Sequence, residues 1–444
     1  MAIVDVVHPG GAATPIRATI QAAVDANPGK YIRLPGTIST TWTLDGRAGD
    51  ANQDTPDALG TVEMGENQLI VGNGVTVVES SATPFPGTWQ SAFRWLNKTL
   101  FGVILEAGAR VTGRRDLHVG GDEWRAAFKL VSTGNSQQWQ DFVGNSEAHV
   151  TGWKGDGFFI QSGDAVTGGN HACKKIRVLN VNFNDNNRHG VTIEDVNGFR
   201  WQNVGGSGND GTGSSHLCDI EPDNTGDSLI DIELDGGTFD AHAVGISIDL
   251  EQLNGSSSPV DVLIKNMICN QSADPSDDPW AYRFKNSHDG PPSGTVEYRN
   301  CYAADLRYAA LRAQWRLSSG VLAKFNGCVS HRCATTFEKP INLDLVGSPT
   351  GAGILIDDVV VEETLDRVVT LVASSGGNAT NVRGRAFVDR GGLKMSTSQL
   401  QTLLPNLNVQ RYTKQHKSRH RIALEREALR SRELLPRVDF GREA

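Results

Sequence analysis

Long apolar runs are missing from this chain of 444 residues: nowhere do eighteen consecutive apolar residues occur, so no membrane-spanning helix is expected. The start, "MAIVDVVHPGGAATP", lacks a basic segment followed by an apolar stretch and so gives no sign of a secretory signal. Cysteine is sparse. Six residues without a tight Cys-x-x-Cys pair argue against a zinc site and give little support to disulfides. Cys269, Cys301 and Cys328 recur at similar places in successive segments and read as stacked buried thiols. Glycine, by contrast, is abundant: 49 residues exceed the usual share of about 7% and favour many turns. The net charge of −9 is unevenly spread, because the stretch from Arg411 to Arg432 holds eight Lys/Arg against two Glu. The body is acidic and the tail basic.

"TPIRATIQAAVDANPGKYIRLPGT" predicts a helix with Thr14 as N-cap, Pro15 in its first turn, and Ile16, Ile20, Ala23 and Val24 on one face. "YIRLPG" follows as a short strand. The middle of the chain repeats. "KKIRVLNVNF" (174), "GFRWQNV" (198), "SLIDIELDGGTF" (228), "PVDVLIKNMIC" (259), "GTVEYRNCY" (294), "GVLAKFNGCV" (320) and "GILIDDVVVEE" (353) all alternate apolar and polar residues. A second series lies between them: "GVTIED" (190), "LCDIEP" (217), "GISIDLE" (245), "AYRFKN" (281), "ALRAQW" (310) and "TTFEKP" (335). Such self-similarity marks a solenoid whose units bury their apolar faces only by stacking. Short strands, Gly/Asn/Asp corners and the absence of recurrent helices predict an all-β parallel β-helix. Leucine-rich repeats and propeller blades are excluded by the missing consensus and strand count.

Stacking the coils converts the repeat into columns about 4.8 Å apart. With Ile193, Ile220, Ile248, Phe284, Ala313 and Phe337 as one inward column, the outward neighbours become Thr192 and Glu194, Asp219 and Glu221, Ser247 and Asp249, Arg283 and Lys285, Arg312 and Gln314, Thr336 and Glu338. An acidic band then runs into a basic band on one face. A slip of one residue would bury Asp219, Glu221, Arg283 and Lys285 without partners, at several kcal/mol each. Crowded carboxyls repel, so at least one pKa should rise, and Glu221, flanked by acids along and across strands, is the expected proton donor. Asp219, Glu221 and Asp249 are the catalytic candidates for a glycosidase-type carboxyl set.

Other chemistry stays open on these residues. The three acids are also suitable oxygen ligands for calcium. Lys285, Arg283 or Arg312 could neutralise a uronate for a lyase. His189 and His216, in the turns feeding these strands, are candidate acid/base partners, although a turn histidine is more often a plain surface residue. "GGSGNDGTGSS" (205–215) has no Lys-Ser/Thr or helix after it, so it is no phosphate loop. It reads as a corner loop from which Asp210 could reach the acids. "SADPSDDPW" (272–280) reads as a turn, and Trp201, Trp280 and Trp315 could stack on sugar rings.

The run "NNRHGVTIEDVNGFRWQNVGGSGNDGTGSSHLCDIEPDN" (186–224) resembles a pattern of right-handed parallel β-helix proteins of the pectate-lyase-like superfamily. The matching positions are Arg188, Gly190, Val191, Thr192, Ile193, Gly211, Thr212, Asp219, Ile220, Glu221 and Pro222. The resemblance implies a right-handed parallel β-helix with an N-terminal capping helix over 1–40, irregular opening coils over 41–150, regular coils over 151–390 and a helical basic tail over 391–444. It implies a polysaccharide-binding and degrading protein, hydrolase or lyase, of the phage tailspike type. A non-catalytic virion or glycan-adhesion β-helix and a bacterial pectate-lyase-like enzyme are the alternatives. Glu194, Arg188, His189, His216, Asp210, Arg283, Lys285, Arg312 and Trp280 are the expected substrate-binding residues. Neither Asn-Thr-Asp with Gly-His-Gly nor Asp-Pro-His-Glu occurs, which disfavours polygalacturonases and alginate epimerases. No cofactor is expected beyond calcium. The expected partners are an extracellular polysaccharide, two further copies in a homotrimer, and virion tail components through the basic tail. Neither membrane nor nucleic acid is expected as a partner.

Overall fold

The computed structural model describes residues 2–411 except 11–15, 37–39, 47–60, 83, 85–89, 97–101, 119–124, 133–139, 146, 163–171, 210–214, 241–243, 271–279, 307–308, 334–340, 363–368, 374–378 and 389–403. A 10-residue helix, Arg17–Ala26, starts two residues later than the predicted Pro15, with Ile16 and not Thr14 at its N-cap, and it buries Ile20 and Val24. The proposed caps Thr14 and Pro15 lie outside the described residues. Here the first backbone N–H, that of Arg17, is satisfied by Asp45 Oδ1 at 3.0 Å. Gln21 pins the helix to the strand Val62–Glu63, its Oε1 accepting from the Glu63 N–H at 2.9 Å.

From there the chain winds as a parallel β-solenoid, which among the described residues comprises three sheets of 16, 11 and 5 strands. The first repeat series supplies the 16-stranded sheet, including Cys173–Leu179, Val196–Gln202, Leu229–Phe239, Val260–Asn270, Gly290–Arg299, Ser319–Asn326 and Ile354–Glu362. The second series supplies the 11-stranded sheet through His189–Ile193, His216–Ile220, Val244–Asp249, Trp280–Asn286 and Leu311–Arg316. The predicted inward column is correct over five rungs: Ile193, Ile220, Ile248, Phe284 and Ala313 are register partners in succession and fully buried. It extends backwards through Ile160, Leu130 and Trp95. The last rung requires a correction. Leu343, in the strand Ile341–Val346, stands opposite Ala313, so Phe337 is not the next member and "TTFEKP" is not the strand. Residues 336–338 lie outside the described residues.

Corners are made by residues that tolerate positive φ. Leu179, Gln202, Asp235, Lys265, Arg299, Asn326 and Asp357 follow one another in register. Each is followed by a left-handed residue: Asn180, Asn203, Gly236, Asn266, Asn300, Gly327 and Asp358, with φ between 49° and 70°. Short polar side chains and glycine bear this conformation at least cost. Asn203 also donates from Nδ2 to Asn180 Oδ1 at 3.1 Å, tying one coil to the next. Asn203→Val is therefore expected to lower stability by about 1–2 kcal/mol, and Asn203→Gly by less, in urea melts.

All six cysteines are free and buried, as the recurrence of Cys269, Cys301 and Cys328 suggested. Cys301, Cys328 and Cys333 each approach a carbonyl one coil earlier, at Ile264, Tyr298 and Ala303. Among the described residues, no helix is long and apolar enough to cross a membrane. The basic tail, expected to be helical, lies outside the described residues except near 404–411, where the chain forms the strand Asn406–Arg411 instead.

Candidate active site

Asp219 is the fourth residue of the strand His216–Ile220, registered between Thr192 and Ser247. Glu221 still belongs to the ladder, because its N–H donates to Ile193 O at 3.0 Å. Pro222, having no N–H, then ends the pairing. Alternation puts Asp219 and Glu221 on the sheet face opposite the buried Ile220, side by side. The two carboxyls are close enough to shift each other's titration.

The outer position does not expose the acids. Asp219 is 4% and Asp249 6% accessible, and Thr192 and Glu194 are buried as well. Glu221, Arg283, Lys285 and Arg312 remain partly open. The predicted charged face is thus largely covered at its acidic end and open at its basic end. Burial raises the Asp219 carboxyl to about 6, against the pull of Arg188. The Asp219 charge, followed by burial and Asp249, raises Glu221 to about 7. Burial also pushes Glu194 well up, reinforced by Asp223.

Asp249 accepts from Lys285 Nζ at 2.8 Å, and Arg283 lies 3.8 Å away. Lys285 also reaches Glu251 at 2.5 Å, a carboxylate the sequence reading did not single out. Burial pulls the Lys285 pKa down, but its bonds to Asp249 and Glu251 outweigh this and the net shift is upward. Lys285, Ser287, Gln314, Arg316, Asp344 and Glu251 line a hollow of about 180 Å³ on the same face. Arg312 stacks its guanidinium 3.9 Å over the Trp280 ring. Trp201 and Trp315, expected as sugar platforms, are instead buried in the core, because they alternate inward. Asp210 lies outside the described residues.

His189 and His216 are not turn residues. Each opens a strand of the second sheet, they are register partners, and both are buried. His189 Nε2 faces Asp219 Oδ2 at 3.4 Å, and His216 Nδ1 lies 3.8 Å from the same oxygen. Burial, then Arg188 and His216, hold the His189 pKa well below the usual imidazole range. Asp156, one coil earlier, was missed by sequence reasoning, which traced the second series only from residue 190. It accepts from the His189 N–H at 3.1 Å and the Thr192 hydroxyl at 3.0 Å, with Arg188 at 3.7 Å. Burial lifts its carboxyl to about 6.

Potential ligand atoms of His189, His216 and Asp219 lie within 4.8 Å of one another. Two imidazoles and a carboxylate suit a zinc-type ion better than calcium. The hydrogen bonding opposes a cation here. The backbone N–H of His216 donates to His189 Nδ1 at 3.1 Å, which leaves the ring hydrogen of neutral His189 on Nε2, facing Asp219. In the proposed calcium set, Asp249 already accepts from Lys285.

Raised carboxyl pKa values have a stability signature. Between the unfolded carboxyl range near pH 4 and about pH 7, the folded protein holds more protons than the unfolded chain, so stability falls as pH rises through that window. Glu221→Gln, which cannot ionise, should be more stable than the parent by about 2 kcal/mol at pH 8 and nearly equal to it at pH 4.5. Urea melts at the two pH values check this.

No protein-family model matches the sequence, and no curated protein matches it. Solved structures do. The A-module of an Azotobacter vinelandii mannuronan C-5 epimerase superposes with a TM-score of 0.60 at 12% identity, covering 90% of this chain and 96% of that one. The catalytic unit of an α-1,3-glucanase from Streptomyces thermodiastaticus gives 0.48 at 12% identity, over 90% of this chain and 65% of the other. A tailspike protein of E. coli bacteriophage HK620 gives 0.48 at 10% identity, over 91% and 75%. At 12% identity the likeness to the epimerase module speaks for the β-solenoid fold alone.

Proposed function

We propose that this parallel β-solenoid binds and cleaves an extracellular polysaccharide on the outer face of its second sheet. One observation carries the reading: Asp219 and Glu221 stand on the same outer face of one strand, where the Asp219 charge pushes the Glu221 carboxyl up to about 7 while Glu221 remains partly open to solvent. A carboxyl still protonated near neutral pH can hand its proton to a glycosidic oxygen. Asp219 and Asp249 supply the negative charge that favours a developing oxocarbenium ion. The partly open Trp280–Arg312 stack and the hollow beyond Lys285 offer surfaces for neighbouring sugar units.

Hydrolysis is favoured over lyase chemistry. A lyase needs an uncharged base beside the uronate, whereas the pairing of Lys285 with Asp249 and Glu251 keeps it protonated. A second reading, a non-catalytic glycan-adhesion protein, draws support from the burial of Asp219 and Asp249. A phage-tail setting, a homotrimer and tail contacts through 391–444 belong to the same proposal and rest on the sequence resemblance.

Incubation with a panel of capsular and plant polysaccharides separates the readings. New reducing ends without an unsaturated product support hydrolysis. An unsaturated product supports a lyase, and binding without turnover supports adhesion.

A further inference from the structure

The hollow of about 180 Å³ beyond Lys285 compares with roughly 10–15 Å³ for a single water, so it admits a ring-sized ligand. Three consecutive rungs build it: Lys285, Gln314 and Asp344 are register partners on the outer face, about 4.8 Å apart. The cations that line it are already engaged. Lys285 Nζ donates to Asp249 at 2.8 Å and to Glu251 at 2.5 Å, and Arg316 Nε lies 3.3 Å from Asp289 Oδ1. Arg283, in the next column, lies 3.8 Å from Asp249. Asp344 differs from these carboxylates. It is half-buried, and among the described residues it meets neither a cation nor a hydrogen-bond donor. Gln314, beside it, likewise makes no hydrogen bond with a described residue. Around the hollow, Lys285, Arg316 and Arg283 therefore stand against Asp249, Glu251, Asp289 and Asp344, and negative charge is in excess.

On the polysaccharide-binding part of the reading above, we infer that this hollow is a subsite for an uncharged sugar unit, with Asp344 as its specificity-determining residue. A carboxylate with all its lone pairs open accepts from sugar hydroxyls, and the Gln314 amide both donates and accepts. Lys285 has three N–H donors and uses two on Asp249 and Glu251, so one is left for a hydroxyl oxygen without breaking either pair. Val346 adds an apolar patch for the C–H face of a ring. A uronate unit fares differently. Its carboxylate would have to displace Asp249, Glu251 or Asp289 from a cation, and it would lie beside the open charge of Asp344. Repulsion between like charges is stronger in a half-buried hollow than in water, so the unmatched carboxylate selects against acidic sugars as well as holding neutral ones.

Gel retardation by a panel of capsular and plant polysaccharides tests this, with each uronate-containing polysaccharide offered in its native form and in its carboxyl-reduced, uncharged form. Glu221→Gln serves as the parent here, because its turnover is suppressed. The uncharged form should bind about tenfold or more tightly than the native form. Native uronate chains bound as tightly as their reduced forms overturn the inference, and so does a protein that binds no polysaccharide in either form. Adding Asp344→Asn should weaken binding of the uncharged form about tenfold and narrow the gap between the two forms to about threefold. Asp344→Lys should reverse the preference. A gap unchanged in both variants overturns the role of Asp344. Should neither variant fold, the ratio between the two forms on the parent decides alone. The wild-type protein then separates this inference from the reading beneath it. Preferential binding of uncharged chains without new reducing ends upholds the subsite and removes cleavage. Cleavage of a uronate chain that binds more tightly than its reduced form upholds cleavage and removes the subsite.

Discussion

Replacing Glu221 by glutamine is expected to lower kcat for polysaccharide cleavage by about 10²–10⁴-fold while leaving KM within a few-fold of the parent. The amide keeps the size of the side chain and can still donate to Asp219, so the ladder through Ile193 and the local packing should survive. What is lost is a transferable proton. A glycoside whose leaving group departs without protonation should recover most of the rate, because the missing step is then dispensable. The parent should lose activity on the alkaline side near pH 7, where Glu221 ionises, and the variant should show no such limb. Equal loss of binding and turnover, or full activity, would point to a role in shape and not in proton transfer.

Phe284→Ala is expected to destabilise the protein by about 3–5 kcal/mol, read as a shift in urea midpoint at similar slope. Phe284 is fully buried on the inward column between Ile248 and the small Ala313. Its ring lies 4.7 Å from Tyr298, 5.0 Å from Phe325 and 5.8 Å from Trp315. That cluster spans two sheets, and stacked coils lean only on their neighbours. The cavity would sit one residue from Lys285, so the hold on Asp249 and Glu251 should loosen together with stability. A loss under about 1 kcal/mol would mean that Phe284 does not face the core.

Five rungs of the inward column were legible in the sequence because period-two alternation and the cost of burying unpaired charge point to one register. Ala313 to Leu343 broke the pattern. "TTFEKP" alternates as well as "INLDLV" does, and nothing local says which of the two pairs with Leu311–Arg316. Asp219 and Glu221 could be placed on one outer face from their spacing alone. The burial of Asp219 could not be foreseen, since alternation reports which side of the sheet a residue takes and not what covers that side. His189 and His216 are 27 residues apart and meet only because Val191 and Cys218 are in register. Asp156 lies in "WKGDGFF", ahead of residue 190 where the second series was first traced, so no column marked it.

The most direct measurement is a crystal structure of the Glu221→Gln protein with a bound oligosaccharide of the polysaccharide it recognises. The sugar chain should cross the outer face of the second sheet, with a glycosidic oxygen within hydrogen-bond reach of residue 221 and a further unit near Trp280 and Lys285. An oligosaccharide seated on either of the other two sheets, with residues 219, 221 and 249 untouched, would contradict a carboxyl-driven cleavage site there.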